Sequence, residues 1–305
     1  MTALRTLFQY VVFPGFLFTA VVGMTLTWVD RMVSARVQWR VGPPWYQPFA
    51  DLLKLLLKET VIPRSASRGV FLLAPLLGVA GMTVIGVMLF AMNFDPSQSF
   101  VGDTIVLVYL FALVPLGIIL GGSSSRNSLG AVGASREMTL YFGYELPLIL
   151  ALLVPIIKAS SLRIGTIVLF QQQTHAVLYS VSGVLAMLVG LACMQAKLGV
   201  TPFDIAEAEQ EIMAGPLIEY SGAPLAMFRL SRAMMYLLLP VFLITLFWGG
   251  IGDWWAIPKF LLLFVLMVLA KNTNPRLRID QALKFFWVGM APLAALAVVL
   301  ALVGW

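Results

Sequence analysis

Residues 143–155 read GYELPLILALLVP, a run of thirteen residues with one charged side chain, Glu145. The run lies in a longer apolar stretch, Met138–Ile157, which has about the 20 residues that a helix needs to cross a bilayer. In lipid the backbone must satisfy its own hydrogen bonds, so the stretch is predicted to be a membrane-spanning helix. Glu145 is costly there, because a charge at the centre of a spanning helix costs about 2.5–3.5 kcal/mol on insertion scales.

The rest of the chain has the same character. Sixty per cent of the 305 residues are hydrophobic, 11% are charged, and the mean hydropathy is +0.94, whereas soluble domains carry about 25% charged residues. We therefore expect an all-α polytopic membrane protein, with residues 1–305 forming a single integral membrane domain. Eight transmembrane helices are predicted: Leu7–Val29, Val70–Met92, Val101–Leu120, Met138–Ile157, Ala176–Gln195, Leu225–Phe247, Ala256–Ala270 and Ala282–Val303.

Lysine and arginine are distributed unevenly between the two sides of these spans. Arg5, Lys158, Arg163 and Lys259 flank one side, and the remaining sixteen of the twenty flank the odd-numbered loops. The positive-inside rule then makes the odd loops cytoplasmic and, for an even number of spans, places both termini outside. We expect a multi-pass protein of the cytoplasmic membrane. The net charge of +6 reflects this topology rather than a surface for nucleic acid.

The first cytoplasmic loop contains an amphipathic helix, predicted over Trp45–Thr60. Asp51, Lys54 and Lys58 fall on one polar stripe, and apolar residues including Leu52 and Leu56 form another. Such a helix can lie in the membrane interface or pack on a partner protein. Both alternatives stay open from the sequence.

Acidic residues are concentrated in FDIAEAEQEIMAGPLIEYSG, residues 203–222, which carries five of the fourteen carboxylates: Asp204, Glu207, Glu209, Glu211 and Glu219. A helix is predicted from Thr201–Pro202 to Gly215–Pro216, with Asp204, Glu207 and Glu211 on one face. Like charges this close either are screened by water and basic groups or raise one another's pKa so that protons can be exchanged. A solvated acidic loop is the alternative.

Glu145 and the charged loop ends complete the set of candidate residues. An ionisable group inside a span tends to face the bundle interior and to serve a proton or ion pathway. A structural ion pair with Arg229 or Arg232 is the alternative, and the two roles are compatible. Residues 121–145, GGSSSRNSLGAVGASREMTLYFGYE, are predicted to form either a hinged loop over a cavity or a re-entrant turn. The predicted charged rim and docking face comprises Asp30, Arg31, Arg36, Arg40, Arg126, Arg136, Arg229 and Arg232.

Redox chemistry on this chain is not expected. It has one cysteine, Cys193, and one histidine, His175, too few for a haem or a cysteine-ligated cluster. Nucleotide-binding glycine motifs and nucleophile triads are also absent from the sequence.

Three segments resemble a known family. WVDRMVSARVQWRVGPPWYQPFADLLKLLLKE, the GYE of the fourth span and the acidic stretch ending in EYSG are similar to the H subunit of respiratory complex I and to its relatives in group 4 membrane-bound nickel–iron (NiFe) hydrogenases and sulfane-sulfur reductases. The similarity extends over nearly the whole chain.

This resemblance implies a coupling role. Members anchor a peripheral redox arm, with hydrogenase-like large and small subunits and a ferredoxin-type iron–sulfur subunit, and begin a chain of charged residues that leads into antiporter-like membrane subunits. NiFe and iron–sulfur clusters are then expected on the partners and no cofactor on this chain. Glu145 matches the family's buried glutamate, Asp204, Glu207, Glu209 and Glu211 match its acidic loop, and Glu219 matches the glutamate of EYSG. Asp30, Arg31 and Arg36 match its acidic–basic stretch after the first span.

Two departures point to one branch of the family. Met32 replaces a second arginine that is common in quinone-using members, and the contracted RVGPPWYQP replaces their longer glycine- and proline-rich insert. These features favour the ferredoxin-linked hydrogenases and sulfur reductases, with the quinone-site subunit of NADH-quinone oxidoreductase as the alternative. A stand-alone secondary transporter is a third hypothesis, although the sequence has no evident inverted repeat.

Overall fold

The all-helical fold is confirmed by the computed structural model, which describes residues 2–305 and contains no strand within them. The α-helices of this part, in chain order, are α1 (Thr2–Val11), α2 (Phe16–Val37), α3 (Gln47–Leu57), α4 (Arg68–Phe94), α5 (Asp103–Ser124), α6 (Ser128–Ala159), α7 (Ile164–Gln173), α8 (Val181–Lys197), α9 (Glu209–Ile212), α10 (Gly222–Phe247), α11 (Ala256–Thr273), α12 (Ile279–Lys284) and α13 (Ala291–Val303). A π-helical segment, Phe285–Met290, joins α12 to α13.

Each predicted span has a helical counterpart in the described residues. Seven of the counterparts are stretches long and apolar enough to cross a membrane, and the first and last of these stretches each include more than one of the helices named above. The eighth is α8, a shorter apolar helix of 17 residues. The fifth predicted span begins too early, because Ser180 accepts a hydrogen bond from Gly183 N–H and caps α8 at Val181. Helix α7 precedes α8 and was not predicted.

The first predicted span was placed correctly, but it is not one helix. The helix is interrupted between Val11 and Phe16, because Pro14 has no backbone N–H to donate. Helix α2 then continues to Val37, so Asp30, Arg31 and Arg36 lie on a helix rather than in a loop.

The glycine- and serine-rich segment between the third and fourth spans is mostly helical, so both the hinged-loop and the re-entrant-turn predictions were wrong. Only residues 125–127 separate α5 from α6. Asn127 caps α6 by accepting from Leu129 N–H at 2.8 Å. The end of α5 and the start of α6 satisfy most of the backbone hydrogen bonds of this segment.

The amphipathic helix of the first loop is present as α3. One side of it packs on the protein itself, because Phe49 and Leu52 contact the core. Leu53 and Leu56 remain exposed. The helix therefore contributes to the fold and keeps an apolar edge for the membrane or for another protein.

Helix α10 lies at the centre of the bundle. In its most hydrophobic window 94% of the residues are buried, compared with 22% for α11. A helix that is apolar on all sides is suited to such a position. Side chains on every face of α10 can therefore meet other helices.

Small residues allow the helices around α10 to approach closely. An ideal Cβ on Gly23 of α2 would lie 2.3 Å from the carbonyl oxygen of Ala233 in α10. Glycine at such crossings lets backbones pack against each other within membranes. Gly69, at the start of α4, has no atom within 4 Å of an ideal Cβ.

Replacing Gly23 by alanine is therefore expected to push α2 away from α10 and to destabilise the fold by about 1–3 kcal/mol, the usual range for overpacking. Thermal unfolding of the purified protein measures the change. Gly69→Ala is the matched control and should be close to neutral. Equal melting temperatures for the two variants would contradict the close approach of α2 and α10.

Candidate functional site

The odd-numbered loops meet at one end of the bundle, here called the charged end. The C-terminal ends of α2, α5, α8 and α11 lie there beside the N-terminal ends of α4, α6, α10 and α12. Ser67 N–H donates to Ser124 O at 3.1 Å across the α4 and α5 ends. Val61 N–H donates to Ser221 Oγ at 3.1 Å and links the first loop to α10. These contacts bring most of the predicted site residues together.

The acidic segment, residues 203–222, does not form the predicted helix. Before α10 begins at Gly222, the segment has one α-helical turn, Glu209–Ile212, and one 3-10 turn, Gly215–Leu217. Asp204 and Glu207 precede both, so they do not share a helix face with Glu211. The Glu209 side chain lies outside the described part of the structure. The reason for the difference is that the carboxylates bind groups on other elements, and these contacts take precedence over the local helical preference.

Each of three acids binds an arginine from a different part of the bundle. Arg232 of α10 donates through Nη1 and Nη2 to both oxygens of Glu207, each at 2.6 Å. Arg276, after α11, donates to Asp204 at 2.8 Å. Arg136 of α6 forms an ion pair with Glu211. The proposed repulsion among the acids is thus offset by arginines.

The EYSG end of the segment is held by neutral groups. Asn127 donates an amide hydrogen to Glu219 Oε1. Tyr220 stacks on Phe71 with ring centroids 4.0 Å apart, and its hydroxyl donates to Phe71 O at 3.0 Å. Burial raises the pKa of the Tyr220 phenol to about 12, so Tyr220 serves as a neutral donor that fixes the segment.

A cleft of about 390 Å³ opens between α2, α3, α10 and α11 at the charged end. Asp30 lies in its wall, 3% exposed, and forms an ion pair with Lys271 at 2.5 Å. The Tyr236 hydroxyl donates to the same Asp30 oxygen at 3.4 Å. The other Asp30 oxygen is buried and has no hydrogen-bond partner among the described groups.

The remaining rim residues divide between the cleft and the surface. Arg31, 3.4 Å from Asp51, and Arg229 line the cleft with Arg232. Arg36, Arg40 and Arg126 are exposed at the same end of the bundle. These three can contact a partner, but the structure does not bring them to the acids.

Glu145 lies within α6, as predicted, but its partner is neither Arg229 nor Arg232. Lys197, the last residue of α8, approaches Glu145 Oε2 at 3.1 Å, and its side chain is 1% exposed. The Lys197 ammonium also lies 5.6 Å from the Tyr144 ring. The C-terminal end of a helix favours a cation, so the position of Lys197 stabilises its charge. A lysine inside the apolar run LACMQAKLG was the sequence signal that pointed to it.

Glu137 is a further buried acid that the site prediction omitted. It is 8% exposed, and the charges of Arg232 and Glu207 act on it. Glu137 precedes Glu145 by eight residues on α6, so the two lie on the same side of the helix. That spacing was available in the sequence. Glu137 therefore feels the Arg232–Glu207 pair and shares α6 with Glu145.

Together these residues form a series of buried and half-buried charges. It begins at Asp30 and Lys271 beside the cleft, continues through Arg232, Glu207 and Glu137, and ends at Glu145 and Lys197. Within the described residues, no group of three or more His, Cys, Asp or Glu could hold a metal ion. The fold and the site together define a multi-pass membrane protein with an internal series of ionisable groups.

Comparison with known proteins gives the family. The NADH dehydrogenase family model matches residues 9–302. The H subunit of NADH-quinone oxidoreductase from Dehalococcoides mccartyi strain CBDB1 is 35% identical over 95% of this chain and 84% of its own length. The same subunit from Thermomicrobium roseum is 36% identical, over 89% and 88%. The chain therefore belongs to the NADH dehydrogenase family of membrane subunits, and the resemblance noted in the sequence is confirmed.

A solved structure supports the same assignment. A chain of the membrane-bound sulfane sulfur reductase, an archaeal respiratory membrane complex, is similar with a TM-score of 0.84 and 26% sequence identity. The match covers 94% of this chain and 96% of that chain. The relatives are thus subunits of multisubunit respiratory complexes, which makes a stand-alone transporter a poor description of this protein.

The Glu145–Lys197 pair can be tested by a double-mutant cycle. Lys197→Met would leave the Glu145 carboxylate buried without its cation and should destabilise the protein by about 3–5 kcal/mol. Combining Lys197→Met with Glu145→Gln removes both charges and should restore most of this loss. Thermal unfolding of the purified variants measures the coupling.

Lys158→Met is the control, because Lys158 has no ion-pair partner among the described residues. It should change stability little. Additive effects of the two substitutions would show that Lys197 and Glu145 do not interact.

Proposed function

We propose that this chain couples electron transfer in a docked peripheral redox arm to translocation of H+ or Na+ across the cytoplasmic membrane. The observation that carries the proposal is the series of buried and half-buried charges from Asp30 to Glu145. Charges interact strongly in a medium of low dielectric constant. A change of charge beside the cleft therefore acts electrostatically on the next charged group along the series.

The position of the series fits this role. It starts at the charged end, which the distribution of Lys and Arg assigns to the cytoplasm. It reaches Glu145 inside a predicted span, where an uncompensated charge would be expensive. Exposed Arg36, Arg40 and Arg126 offer a docking face for a soluble partner at the same end. In this proposal the redox centres, NiFe and iron–sulfur clusters, belong to hydrogenase-like and ferredoxin-type partner subunits, and antiporter-like membrane subunits receive the signal.

Among members of the family, we favour a ferredoxin-linked hydrogenase or sulfur reductase. Six of the thirteen residues that line the cleft are charged: Asp30, Arg31, Asp51, Arg229, Arg232 and Lys271. Pockets for organic cofactors are mostly apolar with few polar groups, so this lining suits a charge relay better than a quinone ring. The contracted RVGPPWYQP segment and the similarity to the sulfane sulfur reductase chain support the same choice.

The second candidate is the quinone-site subunit of an NADH-quinone oxidoreductase. It is favoured by the curated relatives, which are subunits of that enzyme by name, and by a cleft volume of about 390 Å³, within the range of ligand sites.

Glu145→Gln tests the coupling role. The substitution keeps the shape and removes the proton-binding group, so the assembled complex should lose ion-gradient formation while electron transfer to an artificial acceptor is retained. The experiment measures both quantities on the same membrane vesicles. Asp253→Asn is the control. Asp253 is an exposed acid that follows the C-terminal end of α10, at the opposite end of the bundle from the charged end. Its loss should leave the gradient intact. A gradient of normal size with Glu145→Gln would contradict the proposal.

Electron-acceptor assays of the purified complex separate the two candidates. With reduced ferredoxin as donor, the first predicts hydrogen or sulfide production and no inhibition by quinone-site inhibitors. Reduction of a quinone that is sensitive to these inhibitors would contradict the first candidate and support the quinone-site subunit. Mass spectrometry of the same preparation would identify the partner subunits.

A further inference from the structure

An apolar groove lies on the outside of the bundle, away from the series of charges. It is called the lateral groove here and has a volume of about 520 Å³. Its walls come from α8 and α11, its floor from the segments after these helices, and one edge from the π-helical segment. The lining residues that the argument uses are Leu188, Ala192, Gln195, Phe203, Leu277 and Phe285.

The groove exists because α8 and α11 are held together at one point. Gln195 donates its amide hydrogens to Met267 O at 3.3 Å and to Thr201 O at 2.9 Å. The floor is closed where Leu277 N–H donates to Pro202 O at 3.0 Å. The space of the groove lies between the apolar faces of the two helices.

The groove faces the lipid side of the bundle. Leu188 and Leu266, both in its lining, are 52% and 42% exposed. Apart from Gln195 and Asn274 the lining is apolar, so it offers water few hydrogen-bond partners. An apolar groove that is open to a bilayer is filled by the apolar groups around it, and the acyl chains of the lipids supply these groups.

Cations lie beside the floor of the groove. Residues 271–284 contain Lys271, Arg276, Arg278 and Lys284 but only one acid, Asp280. Arg278 follows Leu277 directly and Lys284 precedes Phe285, so both basic residues adjoin lining residues. Both side chains are exposed, and neither forms an ion pair with a carboxylate of the described chain. Basic residues at a membrane surface attract anionic lipid headgroups.

We propose that the lateral groove binds an anionic phospholipid, with one acyl chain between α8 and α11 and the phosphate at Arg278 and Lys284. The floor joins the lipid to the acidic segment, because Phe203 lines the groove and Arg276, beside Leu277, pairs with Asp204. A bound lipid therefore supports the start of the acidic segment from the membrane side. This inference does not depend on the electron acceptor or on ion translocation.

Photolabelling of the intact complex tests the proposal. The complex is reconstituted into vesicles of phosphatidylcholine that contain phosphatidylglycerol carrying a diazirine on its acyl chain. After illumination, labelled peptides should map to residues 188–195 and 266–277. Unlabelled phosphatidylglycerol should compete with the label, and additional phosphatidylcholine should not.

Two kinds of variant separate the headgroup site from the groove. Each basic residue near an anionic surface contributes on the order of fivefold to binding, so Arg278→Gln with Lys284→Gln should reduce labelling at least fivefold. Ala192→Trp fills the groove and should abolish labelling with both cations in place. Lys158→Gln with Arg163→Gln removes two cations from the opposite end of the bundle and should have no effect.

Three results would overturn the proposal: equal competition by phosphatidylcholine, labelling that persists when both cations are removed, or cross-linking of the groove to a helix of a partner subunit. Because the readout is binding, these results leave the proposed coupling function unaffected.

Discussion

A carboxylate inside an apolar bundle must meet a cation or a strong hydrogen-bond donor, and this requirement organises the charged end of the protein. Burying an unpaired charge costs several kcal/mol, whereas a pair such as Arg232–Glu207, with two hydrogen bonds of 2.6 Å, combines charge neutralisation with defined geometry. Asp30, Glu207 and Glu145 each have a basic partner on another element. The helix ends are therefore held in place by the same contacts that form the proposed relay.

The opposite end of the bundle is held in a different way. Asn93 of α4 donates to Thr245 of α10 at 3.0 Å, and Gln171 of α7 donates to Thr245 O at 3.1 Å. Gln171 also accepts from Gly249 N–H at 2.9 Å. The amide and hydroxyl groups in these hydrogen bonds do not titrate near neutral pH, so the bonds do not depend on pH there. Helix α10 thus joins an end held by neutral hydrogen bonds to an end held by ion pairs.

Much of the fold could be predicted from the sequence because membrane insertion depends on local hydropathy. Each predicted span has a helical counterpart, including the short α8, and the amphipathic α3 follows from its pattern. The break before Phe16 was missed although Pro14 and Gly15 marked it. The predicted helix through the acidic segment was wrong, since local propensity took no account of the arginines that bind Asp204, Glu207 and Glu211.

The acids of the site could be predicted from the sequence, but the basic residues that pair with them could not. Asp204, Glu207 and Glu145 stand out in an apolar sequence by charge alone. Arg276, Arg232 and Lys197 become their partners only when the ends of α11, α10 and α8 come together, and nothing local in the sequence specifies which ends are neighbours. Glu137 is an intermediate case, because its spacing from Glu145 along one helix was visible.

The three arginines that bind the acidic segment come from α6, α10 and the connection after α11, and this has a mechanical consequence. The segment is held by three ion pairs, each to a different element of the bundle. Displacement of any one support must be shared among all three attachments. A force applied to the segment is accordingly distributed across the width of the bundle instead of ending at a single helix.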